Sequence, residues 1–358
     1  EGESVVEIMN LMVYDAMTLG NHDFNYGQTA LANRQGEAVF PVLAANVIKE
    51  ATGEPIGISA LVKPVGNLTV GIIGLTTPDT PFVTHPKNVV GLTLTDPIER
   101  AKSLASYLRP QVDVIIALTH LGIDADRELA AAIPEIDIII GGHSHTQLEE
   151  PVVVGNTYIV QTGEHAKNLG YLKLTLEDGN VVDVLGKLVP VTAEVADHPA
   201  ATEVVSKWGT ELEEKLGQEV GATTVLLDGE RANVRTKETN LGDLITDIMR
   251  DTVGADLAVN NGGGIRASIN AGPITIGDIY TVLPFDNTLV KVEMLGRDLL
   301  AALEHSVRLY PEQNGGFLQV SGLEFVFDPS REPGARVTDV IIGGNALELD
   351  KTYTVATN

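Results

Sequence analysis

Three apolar stretches in the first half of the chain each lead to a histidine, and this repetition constrains the fold more than any other feature. The stretches and the histidines that follow them are residues 13–19 with His22, residues 112–119 with His120, and residues 136–142 with His143 and His145. Continuous apolar runs of this kind are typical of parallel strands covered on both faces. Ligands bind at the carboxyl ends of such strands, so four of the eight histidines are expected at one edge of one sheet. A single strand-end histidine is usually structural, but three strand ends with the same pattern indicate a functional site.

The first of these histidines lies in a segment that reads Gly-Asn-His-Asp-Phe at residues 20–24. The glycine allows the backbone to turn sharply after the strand. Asn21 offers a neutral oxygen ligand, His22 an imidazole and Asp23 a carboxylate. We interpret this cluster as part of a metal or catalytic site.

Composition limits the classes of function. The chain has 358 residues, enough for two domains, and 44% of them are hydrophobic, which is typical of a globular protein. Its formal net charge of −25 argues against a general surface for nucleic acid or anionic membrane, but a small anionic substrate needs only a local patch of arginine or metal. Cysteine is absent, which excludes disulfides and a thiol nucleophile. No apolar stretch has the length of a transmembrane helix.

The first half of the chain predicts alternating strands and helices. Asp96 and Pro97 are typical of an N-cap and a first helical residue, so a helix is expected from there to about Leu108. A turn is predicted at Asp178-Gly179. Further predicted helices are residues 1–12 and 124–132, and further predicted strands are residues 40–46, 67–75, 152–154, 157–162 and 170–176.

A different pattern begins near residue 199. Residues 199–216 form an amphipathic run that we interpret as a linker helix, although an ordinary domain helix fits equally well. A second α/β unit is expected beyond residue 220. Its predicted elements are a helix over residues 240–252 and strands over residues 256–260, 279–283 and 288–294.

Two features of this second unit are candidate ligand contacts. Three consecutive glycines precede Arg266, which favours an anion site because the guanidinium matches phosphate or carboxylate oxygens, although a tight turn also explains the glycines. Phe285 lies in a turn, as either a buried packing residue or a stacking plate for a planar ligand. Surface solvation is the default interpretation of Arg231 and Arg235.

Taken together and in this order, the motifs resemble the 5′-nucleotidase family over nearly the whole chain. The matching segments are residues 20–24, 119–122, 142–146, 261–266 and 283–285. The resemblance implies an α/β fold, α+β in detail. It divides the chain into a layered metallophosphoesterase-like domain over residues 1–195, a linker helix over residues 196–218 and a smaller nucleotide-binding α/β domain over residues 219–358.

The resemblance also implies roles for individual residues. The implied ligands of a two-metal centre are Asn21, His120, His143 and His145, with Mn²⁺, Zn²⁺ or Co²⁺ as candidate ions. His22 resembles the catalytic histidine of the family, with Asn25 as its partner. The implied substrate contacts are Arg231, Arg235, Asn261, Arg266, Phe285 as a base-stacking plate, and Asn287.

The implied activity is metal-dependent hydrolysis of nucleoside 5′-monophosphates, a step in nucleotide catabolism, with UDP-sugars and nucleoside di- and triphosphates as further candidate substrates. Two alternatives stay open: a 2′,3′-cyclic nucleotide phosphodiesterase with 3′-nucleotidase activity, and a surface protein that binds nucleotide without catalysis. The expected partner is a small nucleotide and not a nucleic acid. The expected location is extracellular, at the cell surface or periplasmic. The oligomeric state is not indicated.

The chain departs from the family pattern at three places. An Asp-x-His pair and a metal-bridging Asp are expected upstream of Glu1, and a loop with a second aromatic plate is expected beyond Asn358. We therefore expect a sequence trimmed at both ends and nearly inactive as it stands, with any targeting segment lost. The third departure is Asn25, where many relatives have Asp; Asn here also resembles the cyclic-nucleotide branch.

Overall fold

The computed structural model describes residues 2–177, 180–285 and 287–358. The chain forms two compact units, Glu1–Trp208 and Gly209–Asn358. The predicted turn at Asp178-Gly179 lies outside the described residues. No helix in the described ranges is both long and apolar enough to cross a membrane.

The first unit alternates helices and strands along most of its length. Its helices are α1 (Glu3–Leu11), α2 (Gly27–Glu37), α3 (Thr80–Val83), α4 (Pro97–Leu108), α5 (Ile123–Ala132) and the start of α6 (Pro199–Leu216). Its strands are β1 (Met17–Thr18), β2 (Val42–Leu43), β3 (Val47–Lys49), β4 (Ala60–Val65), β5 (Leu68–Thr76), β6 (Leu92–Leu94), β7 (Val114–His120), β8 (Ile138–Ile140), β9 (Val152–Val154), β10 (Thr157–Val160), β11 (Asn168–Glu177) and β12 (Asn180–Pro190).

A six-stranded sheet forms the centre of this unit, in the order β4-β5-β7-β8-β10-β9. Strands β5, β7, β8 and β10 are parallel, and the outer strands β4 and β9 are antiparallel to their neighbours. Thr76 pairs with His120 at the carboxyl end of the parallel strands. The sheet therefore delivers the residues that follow β5, β7 and β8 to the same edge, where ligands bind in α/β sheets.

Apolar side chains from α4 and α5 pack against the central strands. This core contains Ala105, Leu129 and the strand residues Ile73, Ile115 and Ile139, all fully buried. The predicted N-cap of α4 is confirmed, because an oxygen of Asp96 accepts hydrogen bonds from the backbone amides of Ile98 and Glu99 at 2.8 and 3.1 Å. The core packs against β7 and β8 up to the point where the histidines follow.

Two predicted strands are much shorter in the structure. Of residues 13–19 only Met17–Thr18 forms a strand, and of residues 40–46 only Val42–Leu43; these two segments pair in parallel. The earlier part of the first run lies at the surface, since Val13 is 77% exposed with a φ of +55°. Gly74 permits the β1–β2 pair to approach β5, because a Cβ there would lie 2.3 Å from Leu43 Cβ. The strands β3, β4, β6 and β12 of this unit were not predicted.

The second unit is a smaller α/β arrangement. Its helices are the end of α6, α7 (Arg231–Val234), α8 (Asn240–Val253), α9 (Ile276–Val282) and α10 (Gly296–Ser306). Its strands are β13 (Glu219–Thr223), β14 (Leu257–Asn261), β15 (Gly272–Thr275), β16 (Val290–Leu295), β17 (Leu318–Ser321), β18 (Leu323–Phe327), β19 (Val337–Ile342), β20 (Asn345–Ala346) and β21 (Thr352–Thr357). A four-stranded sheet has the order β16-β21-β14-β17, with β14 and β21 parallel, and a three-stranded sheet has the order β18-β19-β20.

The predicted strand over residues 279–283 is wrong, because this segment belongs to helix α9. Thr275 and Asp278 form a capping box: the Thr275 hydroxyl accepts from the Asp278 amide at 3.1 Å, and the Asp278 carboxylate accepts from the Thr275 amide at 2.8 Å. This signal precedes the short apolar run and decides between helix and strand, which periodicity alone does not.

The amphipathic run over residues 199–216 does form a helix, α6. The boundary between the compact units, at Trp208 and Gly209, falls inside this helix. In the first unit, Trp208 Nε1 donates a hydrogen bond to Glu7 at 2.9 Å. The predicted division into residues 1–195, 196–218 and 219–358 stays a prediction.

Candidate active site

Three side chains from three different segments of the chain meet at the carboxyl edge of the six-stranded sheet. Oδ1 of Asn21 lies 3.0 Å from Nε2 of His120 and 3.2 Å from Nδ1 of His143. The rings of His120 and His143 are 5.0 Å apart between centroids, at an angle of 62°. The structure therefore brings together one amide oxygen and two imidazole nitrogens that lie far apart in sequence.

The local backbone explains this convergence. His120 is the last residue of β7, and Asn21 begins a 3₁₀ helix, Asn21–Phe24, shortly after β1. The two segments can approach because residue 20 is glycine: a Cβ there would lie 2.9 Å from Nε2 of His120. Any side chain at Gly20 would therefore displace the imidazole.

His143 and His145 are presented by a loop with an unusual backbone. Their φ angles are +74° and +58°, in the left-handed region that residues with a Cβ seldom occupy. Such conformations persist only where the surrounding structure holds them, and they cluster at functional sites.

The electrostatic environment favours a neutral ring at His120. Burial, together with the nearby imidazoles of His143, His22 and His145, lowers the pKa of His120 to about 4. Its Nε2 can therefore present a lone pair to a cation at neutral pH, as a metal ligand must. His22 and His145 therefore contribute, with His143, to the electrostatic environment of His120.

A carboxylate missing from the sequence prediction orients His145. Oε2 of Glu164 lies 2.6 Å from Nδ1 of His145. Burial opposes ionisation of Glu164, but this hydrogen bond and the charges of His145, His165 and Lys167 lower its pKa overall. A carboxylate on one ring nitrogen of a histidine commonly fixes the ring so that the other nitrogen can bind a metal. Its sequence signal, an acidic residue after a strand, is too common to be specific.

His22 is held by an amide. Nδ2 of Asn25 lies 3.1 Å from Nδ1 of His22, and the Thr84 hydroxyl donates to Oδ1 of Asn25 at 3.3 Å. The backbone carbonyl of Asn25 accepts from the Asn88 side chain at 2.8 Å. The predicted partnership of His22 and Asn25 therefore has a direct geometric basis, and Thr84 is an additional member that the sequence did not indicate.

Asp23 does not join this cluster. Its carboxylate accepts a hydrogen bond from the Gly20 amide at 2.7 Å. Burial raises the pKa of Asp23, and the bond from Gly20 only partly offsets this effect. The carboxylate of the motif therefore stabilises the turn that aims Asn21 and His22.

The donor atoms around Asn21 fit a divalent metal ion. Ligand atoms about 2.1 Å from one ion lie about 3.0 to 3.4 Å apart at octahedral or tetrahedral angles, which matches the two separations measured here. Imidazole nitrogen and amide oxygen suit Mn²⁺, Zn²⁺ or Co²⁺. In residues 2–177, 180–285 and 287–358, no three His, Asp or Glu side chains by themselves form a group that could hold a metal ion.

Arginine and aromatic side chains also meet within the second unit. The Arg266 guanidinium donates to the carbonyl of Gly263 at 3.2 Å, and its carbon lies 5.8 Å from the ring centroid of Phe285. A Cβ built on Gly315 would lie 3.8 Å from Nη1 of Arg235 and 3.8 Å from Cα of Gly263. Arg235 and this glycine loop therefore both lie next to Gly315. The structure thus places two of the three predicted arginines at the loop that follows β14.

The remaining predicted residues lie around this loop. Arg231 begins the short helix α7, and its Nε donates to Gln313 at 3.1 Å, so it is not simply a solvated surface residue. Asn261 ends β14 and precedes the 3₁₀ helix Gly262–Gly264.

Phe285 and Asn287 line a cavity of about 190 Å³. Its other walls are mostly apolar and include Ile245 and Leu289. Asn260 also lines it; this residue is 3% exposed, and its Nδ2 has no hydrogen-bond partner among the described residues. Sequence reasoning missed Asn260, because its neighbour Asn261 carries the motif.

Comparison with known proteins places this geometry in a family. The model of the calcineurin-like phosphoesterases matches residues 2–147, and that of the 5′-nucleotidase C-terminal domain matches residues 219–358. The human protein 5′-nucleotidase is 35% identical over 404 residues, an alignment that covers 99% of this chain and 70% of the human protein. The chain belongs to the 5′-nucleotidase family.

Two other relatives support the fold. The crystal structure of the 5′-nucleotidase precursor from Thermus thermophilus has 38% sequence identity and a TM-score of 0.90, over 100% of this chain and 76% of that one. The trifunctional nucleotide phosphoesterase protein YfkN of Bacillus subtilis is 36% identical over 410 residues, but this chain spans only 28% of its length. The predicted α/β fold, with a metallophosphatase domain before a 5′-nucleotidase domain, is therefore confirmed.

Because the chain belongs to this family, it is a phosphoric ester hydrolase that acts on nucleotide phosphoesters. Family membership also implies divalent metal ions, in agreement with the donor atoms around Asn21.

Proposed function

We propose that this protein hydrolyses nucleoside 5′-monophosphates to a nucleoside and phosphate, using two divalent metal ions. The observation that carries the proposal is the meeting of Asn21 Oδ1 with His120 Nε2 and His143 Nδ1 at the sheet edge. His145, oriented by Glu164, is the fourth proposed ligand. When bound, a pair of such ions lowers the pKa of a coordinated water and clamps the oxygens of the phosphoryl group.

The residues of the chain would bind and orient the phosphoryl group. Because Asn25 holds Nδ1 of His22, we propose that Nε2 of His22 contacts a phosphoryl oxygen and stabilises the charge that develops on it. Asn21 contributes a neutral oxygen, so it leaves the positive charge of a bound ion undiminished. These roles make His22 a catalytic residue and Asn25 a positioning residue.

We propose that the second unit binds the nucleotide. Arg235 and Arg266 lie beside the glycine loop after β14, and their guanidinium groups match anionic oxygens. Phe285 offers a ring for stacking and Asn287 an amide, both at one cavity. Arg231 and Asn261 are the remaining proposed contacts.

A second candidate function rests on Asn25. An amide in place of the carboxylate found in many relatives resembles the branch that hydrolyses 2′,3′-cyclic nucleotides. UDP-sugars and nucleoside di- and triphosphates are further candidate substrates, and an extracellular, cell-surface or periplasmic location remains a prediction.

Identifying and quantifying the hydrolysis products of each substrate by chromatography decides among these functions. The protein expressed from its complete gene is assayed with AMP, 2′,3′-cyclic AMP, ATP and a UDP-sugar in Mn²⁺, Zn²⁺ or Co²⁺, then after EDTA treatment. We expect AMP to be hydrolysed fastest, the rate to vanish with EDTA, and added metal to restore it. Faster hydrolysis of 2′,3′-cyclic AMP would assign the cyclic-nucleotide function, and an inactive protein without stoichiometric metal would support a non-catalytic binding protein.

Asn25→Asp is expected to shift the pH–rate profile to higher pH by about one unit, because a carboxylate stabilises an adjacent imidazolium. The amide lies 3.1 Å from His22 Nδ1, so the substituted carboxylate would face the same nitrogen. The limb of the profile that reports loss of the imidazole proton should therefore move to the alkaline side. The measurement is kcat/KM for AMP across pH; an unchanged profile would show that residue 25 does not act through His22.

A further inference from the structure

The loop that carries His143 and His145 is held by one buried side chain. Gln161 follows β10 and is 2% exposed. Its Oε1 accepts hydrogen bonds from the Thr146 amide at 2.6 Å and from the Ser144 hydroxyl at 3.1 Å. Its Nε2 donates to the carbonyl of Gly142 at 3.3 Å.

The residues that Gln161 binds alternate with the two histidines along the chain. Gln161 binds residues 142, 144 and 146, so His143 and His145 each lie between two anchored neighbours. Both histidines have the left-handed backbone conformation that residues with a Cβ disfavour. Without these hydrogen bonds the loop would adopt other conformations, and the rings of His143 and His145 would no longer be held in their observed orientation.

Ser144 extends this anchorage to the turn after His120. Its hydroxyl oxygen accepts from the Ile123 amide at 3.1 Å and pairs with the Thr146 hydroxyl at 2.8 Å. Ile123 is the first residue of α5, three residues beyond His120. The side chains of Gln161 and Ser144 therefore link the loop of two proposed ligands to the segment that follows a third.

We propose that Gln161 is a positioning residue for metal binding. It lies behind the proposed ligands and fixes the backbone that presents them, whereas Glu164, three residues later, fixes the ring of His145. The inference rests on the proposed function, because it assumes that His143 and His145 bind metal. Residues behind the ligands of a metal site typically change its affinity by about 10- to 100-fold when they are replaced.

The test is the affinity for Mn²⁺ alone, measured in the full-length protein from the electron paramagnetic resonance of free Mn²⁺. Gln161→Leu keeps a similar volume but removes every side-chain hydrogen bond from residue 161 to the loop, and we expect affinity to fall at least tenfold. Gln161→Glu keeps the two acceptor contacts and loses the donor to Gly142, so we expect a smaller loss. Gln147→Leu is the matched control, since Gln147 is exposed on the same loop and bonds Glu149 and Asn168.

Activity and stability measurements separate the explanations. We expect excess Mn²⁺ to restore most of the kcat of Gln161→Leu with little change in KM for AMP. A lower melting temperature with unchanged Mn²⁺ affinity would overturn the inference and leave only a structural role. If Gln161→Leu fails to fold, Gln161→Glu and Ser144→Ala decide by the same affinity measurement. Wild-type protein that binds none of Mn²⁺, Zn²⁺ and Co²⁺ would instead refute the proposed function.

Discussion

His120→Ala is expected to lower phosphate release from AMP about 10³-fold, because it removes an imidazole from the proposed metal centre and the ions supply several kcal/mol of transition-state stabilisation. Nε2 of His120 lies 3.0 Å from the oxygen of Asn21, and burial helps to hold its ring neutral. The same substitution should reduce the metal bound per chain, as measured by elemental analysis of the purified full-length protein.

A second histidine substitution serves as the control. His305→Ala changes an exposed residue near the end of α10, in the second unit. We expect both metal content and rate to stay within twofold of the wild type. Full metal content and full activity in His120→Ala would show that the meeting of His120 with Asn21 is structural, and the metal centre proposed here would have to be abandoned.

His22→Ala is expected to have the opposite pattern: kcat falls about 10²- to 10⁴-fold while metal content stays at the wild-type level. The expectation follows from the contacts of His22, whose ring is held by Asn25, whereas His120 and His143 meet at Asn21. The measurements are kcat and KM for AMP at saturating metal, together with elemental analysis.

His85→Ala is the matched control for this substitution. His85 is exposed in the loop that also carries Thr84, and its Nδ1 accepts from the Lys87 amide at 3.2 Å. Its loss should leave kcat within twofold of the wild type. If His22→Ala loses metal along with activity, His22 is a ligand and the division of roles among the histidines must be redrawn.

The histidines could be predicted from sequence because they follow strands whose apolar character is continuous. Such runs identify buried parallel strands, and the handedness and direction of α/β connections bring the ends of those strands together. His120 and His143 depend on β7, which forms close to its predicted position, and on β8, which is shorter than predicted but lies within the predicted run. Asn21 depends on a strand of only two residues, yet its motif was specific enough to place it.

The residues that support the site could not be predicted in the same way. Glu164 and Gln161 act through contacts with residues about 15 to 20 positions earlier, and no local pattern distinguishes them from other polar residues after a strand. The direction in which the Asp23 carboxylate points depends on the 3₁₀ turn, which brings it to the Gly20 amide; an extended segment would not do so. Helix α9 was missed because the short run over residues 279–283 fits a strand or a helix, and only the capping box before it decides.

The left-handed backbone at His143 and His145 sets a limit on how this protein can evolve. Glycine at either position would ease the conformation and favour folding, but only histidine supplies the nitrogen that the proposed chemistry needs. Selection for a more robust fold and selection for catalysis therefore pull these two positions in opposite directions. A descendant that had given up hydrolysis would be free to accept glycine here, so glycine at both positions of a homologue would indicate that these two proposed metal ligands have been lost.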